Sequence, residues 1–132
     1  MPVRFQPLLR YVTRPSRYTG GEWNSLSKPW DSTALRVCLA YTDLYEAGVN
    51  NPGFNLLYQL LNNDPAVLAE RVFAPWPDFA NVLRSSHTSL FTLESGRPLG
   101  DFDIIAFCLS RELTYTTLLE MMDLSGLSVQ AV

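Results

Sequence analysis

The chain is poor in the residue types that bind metals and form disulfides. It contains one histidine, His87, and two cysteines, Cys38 and Cys108, which lie seventy residues apart. Without a Cys-x-x-Cys pair, this inventory argues against a zinc or iron–sulfur site built from this chain alone. Both cysteines lie in apolar runs, which is typical of buried free thiols. No Gly-x-Ser-x-Gly elbow accompanies His87, so nucleophilic catalysis has no support either.

Long apolar runs and clustered basic charge are also missing. No apolar run approaches the roughly 20 residues that span a bilayer, and the N-terminus MPVRFQPLLRYV lacks the apolar core of a signal peptide. We therefore expect a cytoplasmic location and no membrane partner. Residues 1–34 carry five basic and two acidic residues, whereas residues 35–132 carry five basic and eleven acidic ones. With no Lys/Arg run, we expect no nucleic-acid partner, and we expect the basic segment to pack on its own acidic domain.

The chain divides by composition into an arm and a domain. Of the 132 residues, 47% are apolar and 17% are charged, as expected of one globular domain. Residues 1–34 are predicted to form an N-terminal arm with a short amphipathic helix, followed by a Gly/Pro/Ser-rich stretch. That stretch contains Tyr18, Trp23 and Trp30, so we expect it to lie over the surface of the domain formed by residues 35–132.

Apolar runs at regular intervals predict a parallel sheet. The predicted strands are 35–41, 70–74 and 104–109, and their starts recur about every thirty residues, as in βαβ units. Helices are predicted after each strand, with Asn51 as an N-cap before Pro52. The fold class is therefore α/β, a flavodoxin-like or Rossmann-like three-layer arrangement with a parallel sheet in the order 2-1-3. The first helix is expected to bury Phe54, Leu57, Tyr58 and Leu61.

Residues 87–103 are too long for a plain helix-to-strand turn. Leu90, Phe91 and Leu93 indicate a short extra strand, turned back at residues 95–98. Because such a strand protects only part of the third strand's outer edge, we also predict self-association as a two-fold dimer.

The loops after the three strands are expected to converge at one edge of the sheet, where open α/β sheets bind ligands. The first loop, Tyr41 to Gly53, is longer than a helix cap requires, and its glycines permit close approach of a ligand. Asp43-Leu44-Tyr45-Glu46-Ala47-Gly48 within it is similar to the Asp-x-His-x-x-Gly motif of cobalamin-binding domains. In that motif the histidine is the lower axial ligand of cobalt. Tyrosine replaces it here.

From about Arg17 to Gly126, the chain resembles the N-terminal region of a family of radical S-adenosylmethionine (SAM) proteins that have a cobalamin-binding-like front domain. The stretches that carry the resemblance are Arg17-Tyr18-x-Gly20-Gly21-Glu22-Trp23-Asn24-Ser25, Asp43-x-Tyr45-Glu46-x-Gly48, Leu68-Ala69-Glu70-Arg71-Val72-Phe73-Ala74-Pro75-Trp76, Leu93-Glu94-Ser95-x-Arg97-Pro98-Leu99-x-Asp101-Phe102-Asp103-Ile104 and Glu112-Leu113-x-Tyr115-Thr116. The resemblance implies a truncated cobalamin-binding-like domain, with cobalamin as a cofactor. It also implies a radical SAM catalytic domain as partner.

Together with the converging loops, the resemblance predicts a cofactor pocket. Its predicted lining is Thr42, Asp43, Tyr45, Glu46, Gly48, Asn50, Asn51, Gly53, Trp76, Ser110 and Tyr115. The family places a second histidine at the position of Asn51, so the pocket has no imidazole to offer cobalt. No metal ligand or catalytic residue is therefore predicted.

S-adenosylmethionine and the 4Fe-4S cluster belong to the catalytic domain, whose Cys-x-x-x-Cys-x-x-Cys motif these 132 residues do not contain. We therefore expect that domain to be missing from this chain, and we expect no catalysis from the chain alone. Two alternative functions stay open. In the first, the domain is degenerate and serves only to dock the catalytic domain or a second copy of itself, with Trp23 and Trp30 as contacts. A nucleotide or flavin binder is less favoured, since the sequence has no glycine-rich phosphate loop.

Overall fold

The computed structural model describes residues 3–130, which form a three-stranded parallel sheet with helices on both faces. The strands are β1 (Leu35–Tyr41), β2 (Val67–Phe73) and β3 (Ile104–Cys108), arranged in the order β2-β1-β3. In this register Val37 of β1 lies opposite Ala69 of β2 and Ile104 of β3. The predicted α/β class, parallel sheet and strand order are therefore confirmed.

The second strand begins three residues earlier than its sequence pattern indicated. Asn62 accounts for part of this, because its side-chain oxygen accepts a hydrogen bond from the Ala69 N–H and its amide donates to the Ala69 carbonyl, both at 3.0 Å. The backbone of Ala69 is thus held in place from the preceding helix. At the other end of the sheet, β3 stops at Cys108, one residue earlier than predicted.

Four α-helices lie in the described part of the chain: α1 (Tyr45–Gly48), α2 (Pro52–Asn63), α3 (Pro77–Ser85) and α4 (Tyr115–Leu124). The short α1, inside the first loop, was not predicted. In α2 the predicted core residues Phe54 and Tyr58 are buried and Leu61 is partly buried, but Leu57 is 37% exposed. Leu57 was therefore wrongly assigned to the core, since a helical period alone does not tell how wide the covered stripe of a helix is.

The cap of α2 is formed as predicted. The Asn51 side chain accepts a hydrogen bond from the Phe54 N–H at 3.0 Å, and Pro52 occupies the first helical position. We expect Asn51→Ala to lower the free energy of unfolding by about 1 kcal/mol, measured by urea denaturation. Asn63→Ala at the exposed far end of α2 is the matched control, with a change within about 0.5 kcal/mol. Equal losses in the two variants would contradict the cap.

Each face of the sheet carries its own hydrophobic core. Cys38, Ala40 and Val72 point to the face covered by α3, α4 and the N-terminal 3-10 helix Val3–Tyr11. Val37, Leu39, Tyr41 and Phe73 point to the face covered by α2. The N-terminal helix was predicted only as a short amphipathic helix. It buries Phe5 and Leu9, and its internal proline, Pro7, lacks the N–H that a continuous α-helix would use.

The segment from Thr13 to Thr33 crosses the surface of the domain. Tyr18 stacks on Phe79 with ring centroids 4.0 Å apart, and its hydroxyl oxygen accepts a hydrogen bond from the Trp76 N–H at 3.0 Å. Lys28 donates to the carbonyls of Asn62 and Asp64 at the C-terminal end of α2, where a cation is favoured, and to the carbonyl of Val67 at the start of β2. This part of the N-terminal arm is therefore held at several separate points.

Residues 90–98 form an incomplete hairpin rather than a strand of the sheet. One isolated antiparallel bridge joins Phe91 to Pro98. The Leu93 N–H donates to the Arg71 carbonyl at 2.9 Å, and the Arg71 N–H donates to the Glu94 carboxylate at 2.8 Å. The hairpin thus lies on the outer edge of β2, and the prediction that it protects part of the outer edge of β3 is wrong. Within residues 3–130, no strand pairs with the outer edge of β3.

None of the helices in the described range has the length and apolar character required to cross a membrane.

Candidate functional site

The three loops that follow the strands meet at the carboxyl edge of the sheet. The Thr42 N–H and hydroxyl both donate to the Cys108 carbonyl, at 3.2 and 3.0 Å, which ties the end of β1 to the end of β3. The Ala74 N–H donates to the carbonyls of Tyr41 and Asp43, which ties the end of β2 to the first loop. The expected convergence of the loops is therefore present.

Two cavities open at this edge, and each holds part of the predicted site. The first, of about 350 Å³, is lined by the predicted residues Thr42, Asp43 and Trp76, and by Arg111, whose guanidinium lies 3.4 Å from the Asp43 carboxylate. The second, also of about 350 Å³, is lined by three further predicted residues. They are Asn51, Gly53 and Ser110. The structure thus distributes these predicted site residues over two neighbouring cavities.

Tyr45 and Glu46 lie at neither cavity and face the arm. The Tyr45 hydroxyl donates to the Glu22 carboxylate at 2.8 Å. Burial, with this carboxylate as hydrogen-bond partner, raises the pKa of Tyr45 to about 12. Glu46 accepts hydrogen bonds from Arg17 at 2.7 Å and from Arg14 at 3.3 Å, and the bond from Arg17 lowers the pKa of Glu46. Both side chains are therefore engaged in holding the arm.

Gly48 serves packing between aromatic rings. A Cβ at this position would lie 2.7 Å from the Tyr41 ring and closer still to the Phe73 ring, so no side chain fits without displacing one of them. Of the remaining predicted residues, Asn50 is exposed after α1 and Tyr115 is exposed at the start of α4.

A buried ionic cluster lies beneath the arm, and sequence reasoning missed it. Arg71 of β2 is fully buried; its guanidinium pairs with Glu94 at 2.7 Å and with Glu22 at 2.9 Å, and it stacks 4.7 Å from the Tyr58 ring centroid. Tyr58 also donates to Glu94 at 3.0 Å. Burial by itself lowers the pKa of Arg71, but the two carboxylates outweigh it and the pKa is raised, so the guanidinium stays charged. The signal in the sequence was the Glu70-Arg71 pair within an otherwise apolar strand.

The neighbouring acid, Glu70, is also buried and holds the hairpin. Its carboxylate accepts hydrogen bonds from the hydroxyls of Thr92 at 2.5 Å and Ser95 at 2.6 Å. Adjacent charges on β2 thus point to opposite faces of the sheet, and each pairs with a residue of the segment 92–95: Arg71 with Glu94, and Glu70 with Thr92 and Ser95.

Cobalt ligation by the first loop does not fit this geometry. The residue in the axial position of the motif is Tyr45, a protonated phenol that donates its hydrogen bond to the Glu22 carboxylate. An imidazole offers cobalt a free nitrogen lone pair, which this side chain cannot match. Across residues 3–130, no group of three or more histidine, cysteine or acidic side chains is placed to hold a metal ion.

Exposed apolar side chains lie at and beside the two cavities: Trp76 and Leu113 line the first, and Leu109 lines the second. Trp76 follows β2, Leu109 follows β3, Leu113 lies in the 3-10 turn Glu112–Thr114, and Tyr115 begins α4. Leu113 is 84% exposed although it lines the cavity, and the Arg17 guanidinium lies 5.3 Å from the centroid of the Trp76 ring. We call Trp76, Leu109, Leu113 and Tyr115 the apolar rim.

Comparison with known families gives one match. The family described as radical SAM proteins, N-terminal, matches residues 53–132, which is more than half of the chain and includes β2, β3 and all of α2 except its first residue. No curated protein and no solved structure matches the chain.

Proposed function

The chain belongs to the family of N-terminal regions of radical SAM proteins, and from this premise we propose that it is an accessory module. It docks the radical SAM catalytic domain against the carboxyl edge of its sheet. The observation that carries the proposal is the state of that edge: Tyr45 and Glu46 are engaged by the arm, while the apolar rim is left exposed.

The engaged polar groups argue for a structural role of the first loop. A cofactor pocket needs polar groups that are free to orient a ligand. Here the Glu22 carboxylate accepts a hydrogen bond from the Tyr45 hydroxyl, and Arg14 and Arg17 form ion pairs with Glu46. Binding a cofactor through these two side chains would first require the arm to leave its place.

The apolar rim argues for a protein partner. Single exposed apolar residues are normal, whereas several around one concave surface mark an interaction site. Tryptophan, tyrosine and arginine are also the residues that most often dominate binding energy at interfaces. Trp76 and Arg111 line the first cavity, which gives a partner side chain a place to insert, and Tyr115 is exposed at the start of α4.

Cobalamin binding is the competing function, and one observation supports it. The two cavities lie beside the ends of β1 and β3, near the point where the chain connections change direction, which is where open α/β sheets bind ligands. In this alternative the cofactor sits at the edge without a ligand from the first loop. The experiments below separate the two functions.

We expect the chain to bind a radical SAM catalytic domain supplied as a separate polypeptide with its Cys-x-x-x-Cys-x-x-Cys motif. Trp76→Ala and Leu113→Ala are each expected to weaken this binding about 30-fold, because truncating a central anchor costs roughly 2 kcal/mol. The measurement is isothermal titration calorimetry. Leu60→Ala, an exposed leucine on α2 away from the rim, is the control and should bind as the unchanged chain does.

The same preparation is then dialysed against hydroxocobalamin, with the bound fraction read from its visible spectrum. We expect no retention at high micromolar protein. Retained cobalamin together with no binding of the catalytic domain would reverse the ranking of the two functions. If the chain neither retains cobalamin nor binds the catalytic domain, the docking proposal and the cofactor alternative are both overturned.

A further inference from the structure

Trp23 is the most exposed large apolar side chain in the part of the chain that the structure describes. It is 104% exposed, as in an unfolded chain. Trp30, the other tryptophan of the arm, packs edge-on against Phe102 with ring centroids 5.0 Å apart, and the guanidinium groups of Arg36 and Arg97 lie 4.8 and 4.1 Å from its ring centroid. The sequence suggested both tryptophans as contacts for a partner, but the fold itself uses Trp30.

The turn that carries Trp23 is held on both sides. The Ser25 N–H donates to the Glu22 carbonyl at 2.9 Å, which closes a turn with Trp23 at its tip. Before the tip, the Glu22 carboxylate belongs to the buried ionic cluster. After the tip, the Leu26 N–H donates to the Tyr58 hydroxyl oxygen at 2.7 Å. A side chain on a turn fixed in this way is preorganised, so little backbone freedom is lost when a partner binds it.

The edge of the sheet beside Trp23 is closed by the chain itself. Three residues of β2 have backbone groups bonded by side chains or by the hairpin: Val67 by Lys28, Ala69 by Asn62, and Arg71 by Leu93 and Glu94. These bonds leave no backbone groups for another strand along residues 67–71. The exposure of Trp23 is therefore a property of a finished surface and not a gap in the sheet.

We propose that Trp23 is a second anchor for the radical SAM catalytic domain, in addition to the apolar rim. The inference rests on the proposed docking function, and it extends the docking face from the carboxyl edge of the sheet onto the arm. An indole offers a partner about 200 Å² of surface to bury, and tryptophan is enriched among the residues that dominate binding energy. The fitting counterpart is an apolar pocket with an oxygen acceptor for the indole N–H.

The position of Trp23 lets one partner surface cover both this residue and the rim. The Tyr18 hydroxyl is bonded to the backbone of Trp76, and Trp23 follows Tyr18 by five residues. Five residues span at most roughly 18 Å, whereas a standard interface of about 800 Å² per partner is on the order of 30 Å across. Between the two tryptophans the arm is fastened to Tyr45 and Glu46 of α1. The two anchors are therefore joined along one surface.

The charge around Trp23 disfavours a membrane as the occupant. Residues 18–27 contain a single charged side chain, the carboxylate of Glu22. Anionic lipid surfaces attract clusters of lysine and arginine, and this stretch has none. A protein pocket for the indole makes no such demand, so a protein partner fits better.

Trp23→Ala is expected to weaken binding of the separately supplied catalytic domain about 30-fold in isothermal titration calorimetry, the loss typical of a tryptophan anchor. Because the side chain is fully exposed, the urea midpoint of the variant should equal that of the unchanged chain. Leu60→Ala is again the control and should bind as the unchanged chain does.

Fluorine NMR of the chain labelled with 5-fluorotryptophan gives a readout specific to Trp23. Its three tryptophan resonances are assigned with single phenylalanine variants. On addition of the catalytic domain, the resonances of Trp23 and Trp76 should shift, and that of Trp23 should lose its response to exchange of H₂O for D₂O. Trp30 is the internal control and should not shift.

The outcomes distinguish this inference from the docking function on which it rests. If the chain binds and Trp76 responds while Trp23 does not, Trp23 is no anchor and the docking function stands. If calorimetry shows no binding and neither resonance responds, the docking function fails, and the anchor with it. A Trp23 resonance that shifts with the concentration of the chain alone would identify a second copy as the occupant. A Trp23 resonance that broadens with phosphatidylcholine–phosphatidylserine vesicles would identify a membrane, and either result would overturn the proposal.

Discussion

Replacing Arg71 by leucine is expected to lower the free energy of unfolding by about 3–5 kcal/mol. Arg71 is fully buried and is the cation between Glu94 and Glu22, and Glu94 is itself nearly inaccessible to solvent. Removing the guanidinium leaves buried carboxylate charge without its partner, which costs more than the pair gains when it is intact. The loss is a large part of the 5–15 kcal/mol that stabilises a typical domain.

Arg84→Leu is the matched control for this prediction. Arg84 lies half exposed on α3 and pairs with Glu120 and Asp123 at the surface, so its loss should cost no more than about 1 kcal/mol. Both variants are compared by urea denaturation, with Arg71→Lys as an intermediate case that keeps the charge but not the forked geometry. Limited proteolysis supplies a second measurement, because the arm loses its contact through Glu22 and should become a cleavage site. Equal losses of unfolding free energy in the two leucine variants would mean that the buried cluster stabilises the fold no more than a surface ion pair does.

The parts of the fold that were predicted correctly depend on neighbouring residues. β1 is a nearly continuous apolar run, interrupted only by Arg36, and both of its limits were predicted correctly. The start of α2 depends on Asn51 and Pro52, which act within one turn of the helix. The order of the strands then followed from the βα rhythm and from the way parallel units connect.

The candidate site was harder because its contacts join distant residues. Glu22 and Arg71 are 49 residues apart, and nothing in either segment indicates that the arm crosses above β2. Tyr45 and Glu46 were therefore assigned to a ligand, while the structure pairs them with the arm. Leu93 and Glu94 bind the edge of β2 for a similar reason: Arg71 attracts Glu94 through charge, and periodicity contains no information on charge pairing.

Gly48→Ala is expected to lower the free energy of unfolding by about 1–3 kcal/mol, the usual cost of adding a methyl group to a filled core. The sequence had suggested that Gly48 leaves room for a ligand. In the structure the space beside it is already filled by the rings of Tyr41 and Phe73, which also pack against each other at 6.2 Å between centroids. Since Gly48 ends the short helix α1 and its backbone is not in the left-handed region, alanine itself is favoured by helix propensity. A net loss of stability therefore reports crowding.

Gly100→Ala is the control for this last prediction, because a Cβ at Gly100 meets nothing within 4 Å and its backbone suits alanine. It should leave stability unchanged or raise it by about 0.4–1 kcal/mol through the unfolded state. Phe73→Leu removes one of the two rings that crowd Gly48, so the cost of Gly48→Ala should shrink in that background, as coupled neighbours do in a double-mutant cycle. If Gly48→Ala instead keeps full stability in denaturant and changes only the binding of an added ligand, Gly48 serves the cavity edge, and the packing role drawn from the Tyr41 and Phe73 rings is wrong.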